Sequence, residues 1–259
     1  MTTELASALE SAGVQLKKSG EDWTARVRAG LRERTAALPL EAREAELSDD
    51  ADERRRQLAS YARGAYLVLS EPGRSDAADM TFASAASGLL PTVEGPWFAQ
   101  GVLDAGGEEA DVYPFGDGLV IAHLIELDEG YRVVTAPQRA RWGATADRVQ
   151  KAAASILFHR TSFACFEPID GDTEAIAMRD GFDAARCLIL DLWDWERTRK
   201  GCLFALPSPD RMIVCNATDP SARAHLAELA RREFTAASEP LTPRVFAFAA
   251  GKREASPVA

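Results

Sequence analysis

The sequence holds few of the residues that common catalytic and metal sites require. Its 259 residues include four cysteines and three histidines. No two cysteines have the C-x-x-C spacing of zinc-binding or thioredoxin-like motifs. His123, His159 and His225 lie in three different predicted elements, and isolated histidines make a poor metal site. We therefore predict no metal ion and no bound cofactor.

Each cysteine lies within an apolar stretch of the chain. Free cysteine behaves as a small apolar residue, so we expect all four to be buried and reduced, as in a cytoplasmic protein. A Cys–His nucleophile pair stays open, because such partners meet in space and not in sequence. The N-terminal residues have no apolar core, which predicts no signal peptide. The cysteines are Cys165, Cys187, Cys202 and Cys215.

A surplus of basic charge is also missing. The formal net charge is −10 at pH 7. Nucleic acids and anionic membranes attract basic surfaces, so this charge argues against both as partners. No apolar run is long enough to cross a bilayer. Apolar residues nevertheless make up 46% of the chain, which predicts a folded protein with a substantial core.

Sequence motifs that bind phosphate or calcium, or that activate a serine, are absent as well. Gly116-Asp117-Gly118 stands between two predicted strands, so it offers no helix N-terminus to a phosphate. Asp170-Gly171-Asp172 carries too few spaced carboxylates for an EF-hand loop. No serine lies in a G-x-S-x-G turn.

The segments that are present predict an α+β fold, with a mixed, largely antiparallel sheet and helices packed over it. Residues 119–127 are apolar on both alternating faces, which is typical of a central strand. Residues 202–206 and 212–215 have the same character and flank a Pro-Asp turn, so we predict a hairpin inside a covered sheet. Ser48 is predicted to cap a long helix, and Leu89-Leu90-Pro91 to lie over the core rather than in a sheet.

The predicted domain organisation is sequential. An N-terminal helix, hairpin and helix segment covers residues 1–72, and a connecting segment packed on the core covers 73–109. A C-terminal α+β domain follows at 110–251, and a flexible tail at 252–259 ends the chain.

A polar cluster surrounds the start of a strongly apolar helix, which is predicted between Asp183 as N-cap and a stop at Gly201. Asp183 and Arg186 are three residues apart and share a helix face, and Asp180 precedes them. Carboxylates beside an arginine can bind a polar ligand or a metal. They can equally cap the helix and form an ion pair, and this structural interpretation is favoured.

Two further sets of residues complete the candidate binding site. Asp210 and Arg211 lie in the hairpin turn, where the fold can bring them to the cluster. Trp193 and Trp195 are two residues apart and point to different sides of a helix, so one of them must cover a second element or be exposed. An exposed tryptophan beside Leu192 would mark a partner surface, whereas burial is the commoner outcome for tryptophan.

Six short motifs then follow one another in an order that resembles a known family. They are Gly88-Leu89-Leu90-Pro91 with Pro96-Trp97-Phe98, Tyr131-Arg132-Val133-Val134, Trp142-Gly143, Asp180-Gly181-Phe182-Asp183-Ala184-Ala185-Arg186, Ala205-Leu206-Pro207-Ser208-Pro209-Asp210 and Pro240-Leu241-Thr242-Pro243. Over about residues 88–251 the chain resembles the YtpQ-like bacterial domain-of-unknown-function family. Pro209 departs from that pattern, which usually has another polar residue there. The resemblance implies a soluble cytoplasmic bacterial protein and brings no established activity.

Two functional hypotheses follow. The first is a non-catalytic interaction or regulatory protein with an unknown protein partner, which the acidic charge would favour if that partner is basic. The second is a small-molecule or metal-dependent hydrolytic enzyme that uses Asp183, Arg186 and Asp210. It requires these three groups to converge in an enclosed pocket, and whether the chain is an enzyme stays open.

Overall fold

The structure is a computed structural model that describes residues 3–19, 22–29, 32–71, 80–161, 166–216, 220–248 and 255–257. Cys165 and the predicted loop at 72–78 lie outside these residues, as does the Trp195 side chain.

Ten α-helices and one 3-10 helix are present in the described ranges. The α-helices are α1 (Glu4–Ser11), α2 (Leu40–Glu44), α3 (Ala51–Ser70), α4 (Phe82–Ala86), α5 (Phe98–Asp104), α6 (Ala136–Arg141), α7 (Ala146–Thr161), α8 (Leu190–Trp193), α9 (Trp195–Lys200) and α10 (Pro220–Ala236). The 3-10 helix is Ala184–Ile189.

Thirteen strands within the described ranges form three sheets. The strands are β1 (Gln15–Ser19), β2 (Asp22–Ala29), β3 (Arg32–Leu38), β4 (Leu89–Glu94), β5 (Tyr113–Gly116), β6 (Leu119–Leu127), β7 (Gly130–Val133), β8 (Phe166–Asp170), β9 (Thr173–Ile176), β10 (Cys202–Ser208), β11 (Arg211–Asn216), β12 (Val245–Phe248) and β13 (Ala255–Pro257). The sheet orders are β1-β2-β3, β4-β6-β5 with β7 also paired to β6, and β13-β12-β10-β11-β9-β8. The predicted α+β class, with largely antiparallel sheets and helices, is confirmed.

The chain forms two compact units, each assembled from separate stretches. The first comprises residues 1–90, 95–112 and 122–150, and the second comprises 91–94, 113–121 and 151–259. The division falls within β4, β6 and α7, so these elements contribute residues to both units. The units interleave along the chain, whereas the predicted organisation is sequential. Residues 255–257, within the predicted tail, pair with β12 as β13.

The six-stranded sheet of the second unit is covered on both faces. Alternate residues of β10 and β11 enter one core cluster through Phe204 and Val214, together with Leu190 and Cys187 of the segment before the hairpin. The intervening residues enter a second cluster with α10, where Leu226 is fully buried. The prediction that both arms of this hairpin lie inside a covered sheet is confirmed. Successive side chains of a strand point to opposite faces of the sheet, so a strand that is apolar at every position needs both faces shielded from water.

Two local predictions were wrong for identifiable reasons. Asp50, and not Ser48, caps α3, because the Asp50 carboxylate accepts from Glu53 N–H at 2.9 Å while the Ser48 hydroxyl accepts from Asp50 N–H. Pro91 lies inside β4, a fully buried strand. The strand order places β4 at the end of its sheet, where the missing N–H of proline is tolerated. The proline therefore marked an edge strand rather than a break.

The predicted continuous helix from Asp183 to Gly201 is also wrong. The segment consists of the 3-10 helix, α8 and α9 in succession, with a break at Asp194. Asp194 has φ −127° and ψ 53°, and its side chain accepts from Arg197 N–H as the cap of α9. An aspartate side chain that accepts from a nearby backbone N–H competes with the hydrogen bonds of a continuous helix. Here Asp194 ends α8 and caps the start of α9. Gly201, with φ +89°, ends α9 as predicted.

Two glycines let helices α3 and α5 of the first unit approach each other closely. A methyl group added at Gly101 of α5 would overlap the carbonyl oxygen of Tyr61 on α3. In the same way, a methyl group at Gly64 would overlap the carbonyl oxygen of Phe98. The backbones of the two helices are thus in contact, and any side chain at these positions must push them apart.

Gly101→Ala should therefore destabilise the protein by about 2 kcal/mol, because overpacking at the crossing exceeds the gain of about 1 kcal/mol in helix propensity. Urea denaturation measures this change. Leu103→Ala is the matched control, since Leu103 lies on the same helix and is 43% exposed. A Gly101→Ala variant as stable as the wild type would contradict the close crossing.

Candidate functional site

Asp180, Asp183 and Arg186 form a compact ionic network in the second unit. The Arg186 side chain is 0% exposed. Its Nη1 donates to Asp183 Oδ1 at 2.9 Å and to Asp180 Oδ1 at 2.8 Å, and its Nη2 donates to Asp180 Oδ2 at 2.8 Å. The remaining nitrogen, Nε, donates to the Thr161 hydroxyl at 3.0 Å. Every nitrogen of this guanidinium therefore has an acceptor within the protein.

The two aspartates also hold the loop that precedes the 3-10 helix. Asp183 accepts from the backbone N–H of Arg179 at 3.0 Å and of Met178 at 3.3 Å, and Asp180 accepts from that of Phe182 at 3.1 Å. Asp183 makes no side-chain capping bond to the 3-10 helix, so its predicted N-cap role is wrong. Its carboxylate points away from the 3-10 helix and towards the preceding loop, because the loop N–H groups and the buried guanidinium lie on that side. The predicted pairing of Asp183 with Arg186 is present.

The surroundings of both carboxylates in this network shift their pKa values. Burial raises the pKa of Asp183 to about 6, against the hydrogen bonds from Arg179 and Met178 and the charge of Arg186. Burial also acts to raise the pKa of Asp180, but the hydrogen bonds and charge of Arg186 outweigh it, and that pKa lies below its usual value. The pKa values of the two carboxylates that contact Arg186 are therefore shifted in opposite directions.

The hairpin turn approaches this loop, but its side chains do not join the network. The backbone carbonyl of Pro209 accepts from Ala184 N–H at 2.9 Å. Asp210 itself is exposed. Arg211 pairs with Glu233 of α10, at 2.7 Å between Nε and Oε2. Asp210, Arg211 and Glu233 line an open surface hollow, whereas Asp183 and Arg186 are enclosed in protein. The three groups of the enzyme hypothesis therefore do not converge in one pocket.

The tryptophan-bearing segment combines a covered ring with an exposed leucine. Trp193 is partly buried against the core of the second unit and stacks on Phe166, with ring centroids 5.1 Å apart. Leu192 is 50% exposed. Because the Trp195 side chain is not described, the prediction that one of the two tryptophans is exposed stays a prediction.

Burial shifts the pKa values of two cysteines and one histidine. Cys187, Cys202 and Cys215 are buried and form no disulfide bond. Burial raises the pKa of the Cys202 thiol to about 12 and raises that of Cys187 well above its usual value. Neither thiol is a ready nucleophile at neutral pH. His123 is fully buried in β6, and burial lowers its pKa to about 4 although the charge of Asp111 acts to raise it.

A polar cleft in the first unit escaped the sequence analysis. It has a volume of about 130 Å³ and apolar walls formed by Val68, Val102 and Val133. Arg132 of β7 lines it and pairs with Glu71, the residue that follows α3. The Arg132 residue is 7% exposed.

The lining of the same cleft includes a second group of polar residues. The Thr135 hydroxyl donates to Glu108 Oε2 at 2.7 Å and accepts from Gln138 N–H as the cap of α6. Arg141 pairs with the same Glu108 oxygen at 3.4 Å. Gln138 lines the cleft and is buried.

The register of the β6–β7 hairpin is the sequence signal from which the burial of Arg132 could have been predicted. The turn at 128–129 pairs Leu127 with Gly130, which places Arg132 opposite the buried Ile125. Directly opposed residues of an antiparallel pair share a face of the sheet. A charged side chain opposite a core isoleucine is therefore buried, and a buried arginine needs acceptors.

Comparisons with known proteins complete the description of the site. No family model, curated protein or solved structure matches this chain. Among the described residues, no three His, Cys, Asp or Glu side chains are grouped so that they could hold a metal ion. Within the same residues, no helix has both the length and the apolar character needed to span a membrane.

Arg186→Met should lower the free energy of unfolding by about 3–5 kcal/mol, because Asp183 stays buried without its charge partner. Urea denaturation followed by tryptophan fluorescence measures the loss. Arg211→Met is the matched control, since its pair with Glu233 is partly exposed and is expected to contribute less than about 1 kcal/mol. Equal losses in the two variants would show that the buried network does not stabilise the fold.

His123 should make the protein less stable in mild acid. Its pKa is about 4 in the folded state, against about 6.5 when unfolded. The fold therefore favours the neutral imidazole, and its stability contribution is complete above the unfolded pKa and is lost as the pH falls from there towards 4. At pH 5 the loss amounts to about 2 kcal/mol.

Urea denaturation of the wild type and of His123→Gln at pH 7 and at pH 5 checks this prediction. Glutamine cannot titrate, so the stability difference between the two proteins should change by the expected amount between the two pH values. A difference that is independent of pH would contradict the low pKa.

Proposed function

We propose that this chain is a non-catalytic interaction or regulatory protein, and that it acts in the bacterial cytoplasm, the location that its resemblance to the YtpQ-like family implies. The observation that carries the proposal is the saturation of the Asp180, Asp183 and Arg186 network. All three guanidinium nitrogens donate to protein oxygens, and Arg186 and Asp183 are 0% exposed. A substrate would have to displace these bonds and enter the core, which favours a structural role for the cluster.

The charge of the chain favours a basic protein as the partner. A net charge of −10 attracts basic surfaces over several ångströms and speeds their association, although it does not set the affinity. Nucleic acids carry the same sign of charge and are disfavoured for the same reason.

The Leu192 surface, defined as Asp191 and Leu192 of α8, is the contact that we propose for this partner. Leu192 is half exposed. It is adjacent to Trp193, which packs against the core and holds the backbone of this turn in place. An anchored apolar side chain beside a carboxylate suits a partner that presents an apolar pocket with a basic rim.

The hydrolytic-enzyme alternative draws no support from the geometry. It would need Asp210 to face the buried pair, but Asp210 is exposed beside an open hollow. The raised pKa values of Cys187 and Cys202 likewise give no support to a thiol nucleophile.

Affinity capture with the full-length chain as bait tests the interaction proposal. The wild type should retain a basic protein from native lysate in near-stoichiometric amount at low salt and release it at high salt. Leu192→Asp should reduce the retained amount by about tenfold or more, since loss of a central apolar anchor costs about 2 kcal/mol.

Leu103→Asp is the matched control, because Leu103 has nearly the same exposure, at 43%, but lies in the other unit. It should retain the partner as the wild type does. Failure of the wild-type bait to retain any protein in near-stoichiometric amount would contradict the interaction role. Equal retention by Leu192→Asp and the wild type would show that the partner does not bind at the Leu192 surface.

A further inference from the structure

The three-stranded sheet of the first unit has one buried face and one exposed face. Trp23, Ala25 and Val27 of β2 are buried. The alternate residues Arg26 and Arg28 of the same strand are exposed. Successive side chains of a strand point to opposite faces of the sheet, so the two arginines lie side by side on the exposed face.

Basic side chains dominate this exposed face, although the chain as a whole is acidic. Directly opposed residues of neighbouring antiparallel strands share a face of the sheet. The described side chains that the register places there, called the basic face below, are Gln15, Lys17, Thr24, Arg26, Arg28, Glu33, Thr35 and Ala37. Three of them are cations and one is a carboxylate, whereas the net charge of the whole chain is −10.

The positive charge of the basic face is only partly neutralised by the protein itself. Arg26 Nε lies 3.4 Å from Glu33 Oε1, and both of these side chains are about half exposed. Lys17 and Arg28 form no ion pair within the part of the chain that the structure describes. Their charges are therefore open to a carboxylate that comes from outside the chain.

We propose that the basic face binds an acidic protein segment in an extended conformation, whose carboxylates contact Arg26, Arg28 and Lys17. The complementary charge is the reason for this choice of partner, because a patch of one sign attracts and orients a segment of the opposite sign. The basic face belongs to the first unit and the Leu192 surface to the second. The proposal therefore goes beyond the proposed function and does not depend on it.

The spacing of the cations matches the repeat of an extended segment. A strand rises about 3.3 Å per residue, so Arg26 and Arg28 are separated by about 7 Å along β2. Alternate residues of an extended partner segment have the same repeat, and a carboxylate can form two parallel hydrogen bonds with a guanidinium group. Lys17, opposite Thr24, is a diagonal neighbour of Arg26 and continues the row of cations onto β1. A segment with Asp or Glu at every second position fits this arrangement.

Other anionic partners fit the basic face less well. Single-stranded nucleic acid gains much of its affinity by stacking on aromatic rings. The described side chains of the basic face include no aromatic ring, and Trp23 lies on the buried face. An exposed ion pair contributes little by itself, so a small anion that contacts one cation gains less than a segment that contacts several.

Fluorescence polarisation with a labelled peptide of alternating glutamate and threonine tests this proposal on the full-length protein. The peptide should bind saturably at low salt and more weakly as the salt concentration rises. A peptide of the same length with glutamine in place of glutamate should not bind. A single DNA strand of the same charge and vesicles of anionic phospholipid should both bind more weakly than the glutamate peptide.

Variants with opposite expected effects locate the binding. Arg26→Gln combined with Arg28→Gln should weaken peptide binding by about fivefold or more, since two exposed ion pairs are lost. Glu33→Gln removes the carboxylate that competes for Arg26, so it should strengthen peptide binding by about twofold. A gain of affinity cannot result from misfolding.

The matched control is Arg179→Gln combined with Arg244→Gln. It removes the same amount of charge from exposed positions in the second unit, and it should bind the peptide as the wild type does. Leu192→Asp should also bind the peptide as the wild type does, so failure of either proposal would leave the other standing.

Backbone amide shifts in nuclear magnetic resonance provide a second readout, because the glutamate peptide should shift Thr24, Arg26, Arg28 and Thr35 with the saturation curve of the polarisation signal. Absence of saturable binding, or shifts confined to other residues, would overturn the proposal. Equal losses in the two double variants, or no gain in Glu33→Gln, would overturn it as well. Tighter binding of the DNA strand or the vesicles would show that the partner is not an acidic protein segment.

Discussion

A buried guanidinium group must find an acceptor for its N–H groups, because its hydration is lost on folding and its charge cannot be removed by deprotonation. Arg186 and Arg132 meet this constraint in different ways. Arg186 is saturated by Asp180, Asp183 and Thr161, so the residues around it serve the fold. Arg132 has Glu71 on one side and, on the other, a nitrogen with no acceptor in the described part of the chain. The same chemical requirement is thus met in full for the buried arginine of one unit and only in part for that of the other.

The elements around each arginine are placed by packing rather than by the charged groups themselves. In the second unit, the 3-10 helix covers one face of the sheet that α10 covers on the opposite face, and this burial encloses Arg186. In the first unit, Gly64 and Gly101 allow α3 and α5 to touch. These two helices carry Val68 and Val102, which form two of the three apolar walls of the cleft. The shape of the cleft therefore depends on a close helix crossing that lies outside it.

Much of the fold could be predicted from local patterns. The apolar runs of β6, β10 and β11 indicated interior strands, because strand periodicity depends on neighbouring residues. The errors arose where local signals compete. Ser48 and Asp50 can both cap a helix, and only the register of α3 selects Asp50. Pro91 disfavours a strand in general, yet it is tolerated in β4 because of the position of that strand in the sheet.

The sequence by itself determined the α+β class, the acidic character and the residues of the Asp–Arg cluster, since composition, periodicity and short spacings carry this information. Only the tertiary structure decided what those residues do. Asp183 turns back to Met178 and Arg179, Asp210 stays on the surface, and Arg132 is enclosed beside Glu71, which is distant from it in sequence. The physical reason is that hydrogen-bond saturation and burial depend on contacts between segments far apart in the chain, and no local pattern encodes which of these contacts a buried charge will find.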